Sequence, residues 1–169
     1  MPIWMSVVEW LARIILFGLV GLSIWSVSII LERRKFIREF SLDNSFEELK
    51  ALISKQSENK IDSALDYYFY ELQKKFQKGI GVLGTLGSTT PFIGLLGTIL
   101  GIIVAFGELS QGTAGTNSIM FALAEALILT AVGLFVAIPA VIAFNYFNKK
   151  FKEIMGDLKS KVNKYNLEK

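Results

Sequence analysis

The chain has 169 residues, with 52% hydrophobic side chains and a net charge of +3 from 18 basic and 15 acidic residues. Its mean hydropathy is +0.46, so long apolar runs are to be expected. It contains no Cys and no His, which excludes disulfide frameworks, Cys/His zinc sites, thiol nucleophiles and every Ser-His or Cys-His catalytic pair. The mild charge balance gives no footprint for nucleic acid.

The charges fall in blocks. Ile14 to Leu31, Ile80 to Gly107 and Ala126 to Asn148 carry none, and the last run extends back to Leu109 with Glu125 as its single interruption. About 20 apolar residues are needed to cross a bilayer core as a helix. The reading is an all-α membrane protein with three transmembrane helices and long helical extensions into the cytoplasm. In chain order the segments are a short outer N-terminus and first span (1–31), a cytoplasmic helical segment (32–79), the second span (80–107), an outer loop (108–118), the third span (119–147) and a cytoplasmic C-terminal helix (148–169). Of the 18 basic residues, all but Arg13 lie in 32–80 or after Asn148. The positive-inside rule then places both regions in the cytoplasm and the N-terminus outside. Arg13 sits near the outer mouth, where it can snorkel, and Trp4 and Trp10 suit the outer interfacial belt. The first run is too long, and its positive charge too late, for a cleaved signal peptide.

In the cytoplasmic segment, Ser45-Phe46-Glu47-Glu48 reads as a capping box that opens a short helix through Leu49, Leu52 and Ile53. A second helix is expected from Ile61 or Asp62, with Leu65, Phe69, Leu72 and Phe76 at helical spacing. No Pro separates it from the second span, so the two are expected to form one rod. Phe151, Ile154, Leu158 and Val162 continue the third span as a helix.

Small residues mark the second and third spans. Gly94, Gly97 and Gly101 include a GxxxG, and Ala126, Gly133 and Ala137 belong to a stripe of small groups on one helix face. Such faces let backbones approach closely in a membrane. Pro91 and Pro139 are expected to kink these spans, with the hydroxyls of Thr89 and Thr90 satisfying carbonyls freed by the first ring. Gly79-Ile80-Gly81-Val82-Leu83-Gly84 matches G-x-G-x-x-G but lacks the preceding strand that a dinucleotide site needs.

Glu125 is the one ionisable residue deep within an apolar run. A charge there must be protonated, partnered or wetted, so it is a functional candidate. Thr98 and Thr130 are the other polar groups at useful depth, and each hydroxyl both donates and accepts.

Thr90 to Ile102 resembles the second span of the ExbB/TolQ family of bacterial proton-channel proteins, and Ala124 to Val141 resembles its third. Flagellar stators of the MotA type are more distant relatives. The resemblance implies an inner-membrane homopentamer whose pore holds the single helices of an ExbD/TolR-type partner. It also implies work passed on through a TonB- or TolA-like protein. Glu125 corresponds to the family's third-span glutamate, and Thr98 and Thr130 to its pore threonines, which together make a proton pathway. The resemblance implies no cofactor beyond the translocated proton and bound phospholipids. The short chain favours the ExbB-like role over the TolQ-like one. The competing reading is a non-conducting scaffold in which Glu125 is an interhelical bond. An enzyme is not expected, since the sequence lacks His, Cys and any Gly-x-Ser-x-Gly.

Overall fold

A computed structural model describes residues 3–55, 60–112 and 115–167. Five helices follow one another: α1 (Ile3–Glu39), α2 (Leu42–Lys55), α3 (Ile61–Gln77), α4 (Ile80–Ser110) and α5 (Thr116–Leu167). There is no strand among the described residues. α1, α4 and α5 are each long and apolar enough to cross a membrane, so the protein is an all-α membrane protein of three spans with helical extensions. α1 continues past residue 31 to Glu39, and α5 runs unbroken through Pro139 for 52 residues. Between α4 and α5 the backbone turns at Gly112, whose φ of +63° favours glycine, and its N–H donates to Leu109 O at 3.0 Å. Residues 113–114 of the expected outer loop lie outside the described residues.

Two expectations for the segment after α1 are corrected. The short helix starts at Leu42, not at Ser45. Ser41 is the cap: its Oγ accepts the Asn44 N–H at 3.3 Å. Ser45 is buried within the helix, and its hydroxyl donates to Ser41 O at 3.2 Å. Including Leu42 in the helix lets that side chain pack on the apolar core, which is why the earlier serine prevails. Nor do α3 and α4 form one rod. α3 ends at Gln77, and Gly79 adopts a φ of +77° before α4 begins. A glycine reaches that conformation without the Cβ penalty, so no proline is needed to stop the helix.

The chain divides into two compact units. One comprises the first 30 residues and Val82–Ala143, the other Leu31–Gly81 and Phe144–Lys169. The second unit has an aromatic-rich core: Leu49, Ile53, Leu72, Phe76, Met155, Leu158 and Val162 are buried together. Phe36 and Phe40 meet the Phe76 ring edge-on at 5.1 and 4.9 Å between centroids. Arg33 is buried beside them. Its Nη1 donates to Lys75 O at 3.1 Å, and its Nη2 pairs with Glu32 at 2.6 Å. Lys75 O is among the last carbonyls of α3, which have no partner within that helix, so the guanidinium acts as a C-terminal cap.

Candidate functional site: the α4–α5 contact and the Glu125 cleft

In the first unit α4 and α5 meet backbone to backbone. A Cβ at Gly94 would lie 2.8 Å from Leu129 O and 3.2 Å from the Gly133 Cα. A Cβ at Gly133 would lie 2.7 Å from Thr90 O and 3.1 Å from the Gly94 Cα. At Gly101 it would lie 2.6 Å from the Ala126 Cβ, and at Gly97 it would press on the Leu129 side chain at 3.2 Å. Ala126 and Ala137 are buried. These small residues, at three- and four-residue spacing, leave the helices nothing to hold them apart.

The close approach puts two hydroxyls together. Thr98 is buried on α4 and Thr130 half-buried on α5, and their Oγ1 atoms are hydrogen bonded to each other. Thr98 Oγ1 also lies 3.0 Å from Ala126 O, and each hydroxyl lies 3.3 Å from Gly94 O. Two protons thus serve the pair and the Ala126 and Gly94 carbonyls. Thr130 donates to Thr98, which donates to Ala126 O, or Thr98 donates to Thr130, which donates to Gly94 O. The chain of donors runs either way between the two helices.

Pro91 lies within α4 and Pro139 within α5, and both helices continue through them. Thr90 Oγ1 donates to Leu86 O at 2.8 Å. The carbonyl deprived of its N–H by Pro91 is that of Gly87, four residues back, so the expected repair by Thr90 is not made.

Glu125 is not bonded to either threonine. It is exposed on the flank of α5, next to the buried Ala126, and not buried as its apolar run suggests. It lines a cleft of about 230 Å³ shared with Glu9, Ala12 and Arg13 of α1, Glu108 of α4 and Ala122 of α5. Arg13 Nη2 pairs with Glu9 Oε1 at 2.7 Å. The sequence reading took Arg13 for an interfacial residue and passed over Glu9. Their i,i+4 spacing at the edge of an otherwise uncharged span was the available signal. Among the described residues no cluster of His, Cys, Asp or Glu has metal-holding geometry.

Three apolar spans, two of them closely packed through glycine, and one carboxylate set within an uncharged run define an all-α integral membrane protein with an ionisable group at span depth. The model of the MotA/TolQ/ExbB proton channel family matches residues 34–160, and the chain belongs to that family. It is 47% identical over 90 residues to the biopolymer transport protein ExbB of Xanthomonas campestris, an alignment covering 53% of this chain and 36% of that protein. The ExbB of Aquifex aeolicus is 41% identical over 88 residues, covering 52% of this chain and 60% of that one. The Tol-Pal system protein TolQ of Pseudomonas aeruginosa is 44% identical over 87 residues, covering 50% and 37%. The chain thus spans between about a third and three fifths of the curated relatives it matches.

Proposed function

We propose that the protein is the pore-forming subunit of a proton-driven motor in the bacterial inner membrane, ExbB-like in linking the proton motive force to nutrient uptake at the outer membrane. In this reading it assembles as a homopentamer around the single spans of an ExbD/TolR-type partner, with its N-terminus outside and its basic segments in the cytoplasm. Glu125 is the chain's proton-handling group, and Thr98 and Thr130 form a hydroxyl relay at the α4–α5 contact. The observation that carries the proposal is the placement of Glu125: the one acid deep in the apolar spans stands exposed on α5, beside the glycine-packed contact with α4, where a partner's titrating side chain can reach it. One charge crossing 100 mV releases about 2.3 kcal/mol, which repeated transfers supply for movement of a central helix.

The similarity to TolQ favours a second assignment within the same mechanism, with work passed to envelope integrity through a TolA-like protein. A scaffold reading differs in chemistry, since an interhelical bond survives an amide and proton exchange does not. The test is proton flux in liposomes holding the chain and its single-span partner, wild type against Glu125→Gln, with native mass spectrometry of the same sample. The expected result is a multimer containing the partner and a flux reduced by at least about 100-fold, the scale of lost acid–base catalysis. Equal flux from the two proteins overturns the proposal.

A further inference from the structure

Two helices of the second unit carry exposed rows of side chains. On α3 the row is Ser63, Tyr67, Tyr70, Lys74 and Gln77, and on α5 it is Lys149, Glu153, Gly156, Ser160 and Asn163. Both repeat at steps of four and three, the spacing of a helix-pairing seam. Tyr67 and Tyr70 are 68% and 61% exposed, whereas the other large exposed apolar side chains of this unit, Leu31 and Tyr146, lie at its edges beside the apolar runs. Tyr68 between them packs on the core, and its hydroxyl donates to Glu48 at 2.9 Å. Among the described residues, neither Tyr67 nor Tyr70 has a side-chain hydrogen bond or ring contact, and Lys74 has no ion pair. Exposed tyrosine is the residue type that anchors protein interfaces.

The two rows match level by level. Within the chain α3 and α5 run antiparallel: the Phe76 and Phe151 rings are 5.5 Å apart, and Lys159 Nζ stands 5.3 Å from the Phe69 ring. Phe76 is thus level with Phe151, and each step back along α3 matches a step of about 1.5 Å forward along α5. To within one residue, Gln77 is then level with Lys149, Lys74 with Glu153, Tyr70 with Gly156, Tyr67 with Ser160 and Ser63 with Asn163. Each tyrosine is opposite a residue with little or no side chain, and a Cβ on Gly156 would meet nothing within 4 Å. Lys74 is opposite a carboxylate whose Oε2 is held by Lys150 at 2.7 Å, which leaves Oε1. The match cannot be made within one chain, because both rows point away from the core that the two helices share. In a ring of identical subunits each contact joins two different patches, and rotation about the ring axis changes no residue's level.

We propose that the α3 row of one copy docks on the α5 row of the next as an antiparallel helix pair. Tyr67 and Tyr70 seat over Ser160 and Gly156, and Lys74 bonds to Glu153. The occupant of the tyrosine face is a second copy of this chain. This rests on the ring assembly proposed above and adds the patch that sets the neighbour's register outside the apolar spans.

The chain has no cysteine, so introduced pairs report directly on neighbouring copies. The full chain, co-expressed with its single-span partner, is oxidised in membranes, and native mass spectrometry follows the same sample. Tyr67→Cys with Ser160→Cys, and Tyr70→Cys with Gly156→Cys, are each expected to give a ladder of covalent multimers without reductant. A disulfide within one chain gives no ladder. Tyr67→Cys with Lys149→Cys, about 16 Å out of level, is expected to give none. The two single-cysteine chains of a matched pair, co-expressed, should stop at the dimer, since each contact joins different rows. Lys74→Glu is expected to slow the first ladder about two- to fivefold, the scale of an exposed ion pair, and adding Glu153→Lys to restore it. A multimer that forms with neither ladder overturns the docking and leaves the ring standing. A ladder as fast from the off-level pair overturns the register, and no recovery with Glu153→Lys overturns the ion pair. Absence of any multimer removes the ring and this contact together.

Discussion

One added carbon at Gly94 would stand 2.8 Å from the Leu129 carbonyl oxygen, and one at Gly133 would stand 2.7 Å from that of Thr90. Both neighbours are backbone, so the helices themselves must move apart. Gly94→Ala and Gly133→Ala are each expected to destabilise the protein by about 1–3 kcal/mol, the usual cost of overpacking. Gly156→Ala is the contrast. Its Cβ meets nothing within 4 Å on an exposed turn of α5, and it should stabilise by about 0.5–1 kcal/mol through helix propensity. Unfolding of the detergent-solubilised variants measures all three. The small-residue positions and both threonines were legible in the sequence because four-residue spacing and apolar context suffice to find them. The side of α5 that carries Glu125 was not. The sequence places it 100° from Ala126 but does not tell which of the two faces α4. Glu9 was missed because a charge near a span end looks interfacial until another helix is brought alongside it.

At the scale of the element, the sequence located every helix and misplaced two junctions. Ser45 with Glu48 and Ser41 with its following residues are both competent caps locally. The choice depends on where Leu42 packs, which is tertiary information. The break between α3 and α4 rests on the sign of φ at Gly79, and a glycine in a membrane-bound run reads equally well as a packing residue. One junction also carries a pH dependence. Lys161 Nζ reaches Asp43 Oδ1 at 2.8 Å, tying the first turn of α2 to the far part of α5. The hydrogen bond from Lys161, with its charge, holds the Asp43 carboxyl below its ordinary value of 3.8. The folded state therefore prefers the ionised form. The stabilisation is complete above the unfolded value and fades as pH falls below about 3.8. Thermal melts of the full chain at pH 6 and pH 3 should show a smaller acid-induced loss for Lys161→Met than for wild type. An identical loss would mean the pair contributes nothing.

For the whole molecule, hydropathy and charge blocks identified the architecture because a membrane imposes length and polarity limits that few sequences meet by chance. The second unit was less legible. Its sequence shows separate helices with apolar positions at helical spacing, but not what those faces pack against. The structure holds an apolar core in which Phe36 of α1, Phe76 of α3 and Phe151 of α5 converge with α2. These aromatics are scattered through charged sequence, and their common destination appears only when segments more than a hundred residues apart are brought together.

That convergence has a consequence for biosynthesis. Met155, Leu158 and Val162 complete the core around Leu49, Ile53, Leu72 and Phe76, yet they are made about eighty residues after the last of these. While the ribosome is still adding the third span, α2 and α3 have no cover for their apolar faces, so this unit cannot finish folding during translation of its own first half. Ending the chain after Lys150 should leave α2 and α3 open to protease in isolated membranes, with cleavage in 40–77 at enzyme levels the intact chain resists. Equal resistance would mean that α2 and α3 protect themselves. Nonsense and frameshift lesions between codons 150 and 162 should thus cost this protein its lifetime in the cell, although α1, α4 and the apolar part of α5 have already been inserted.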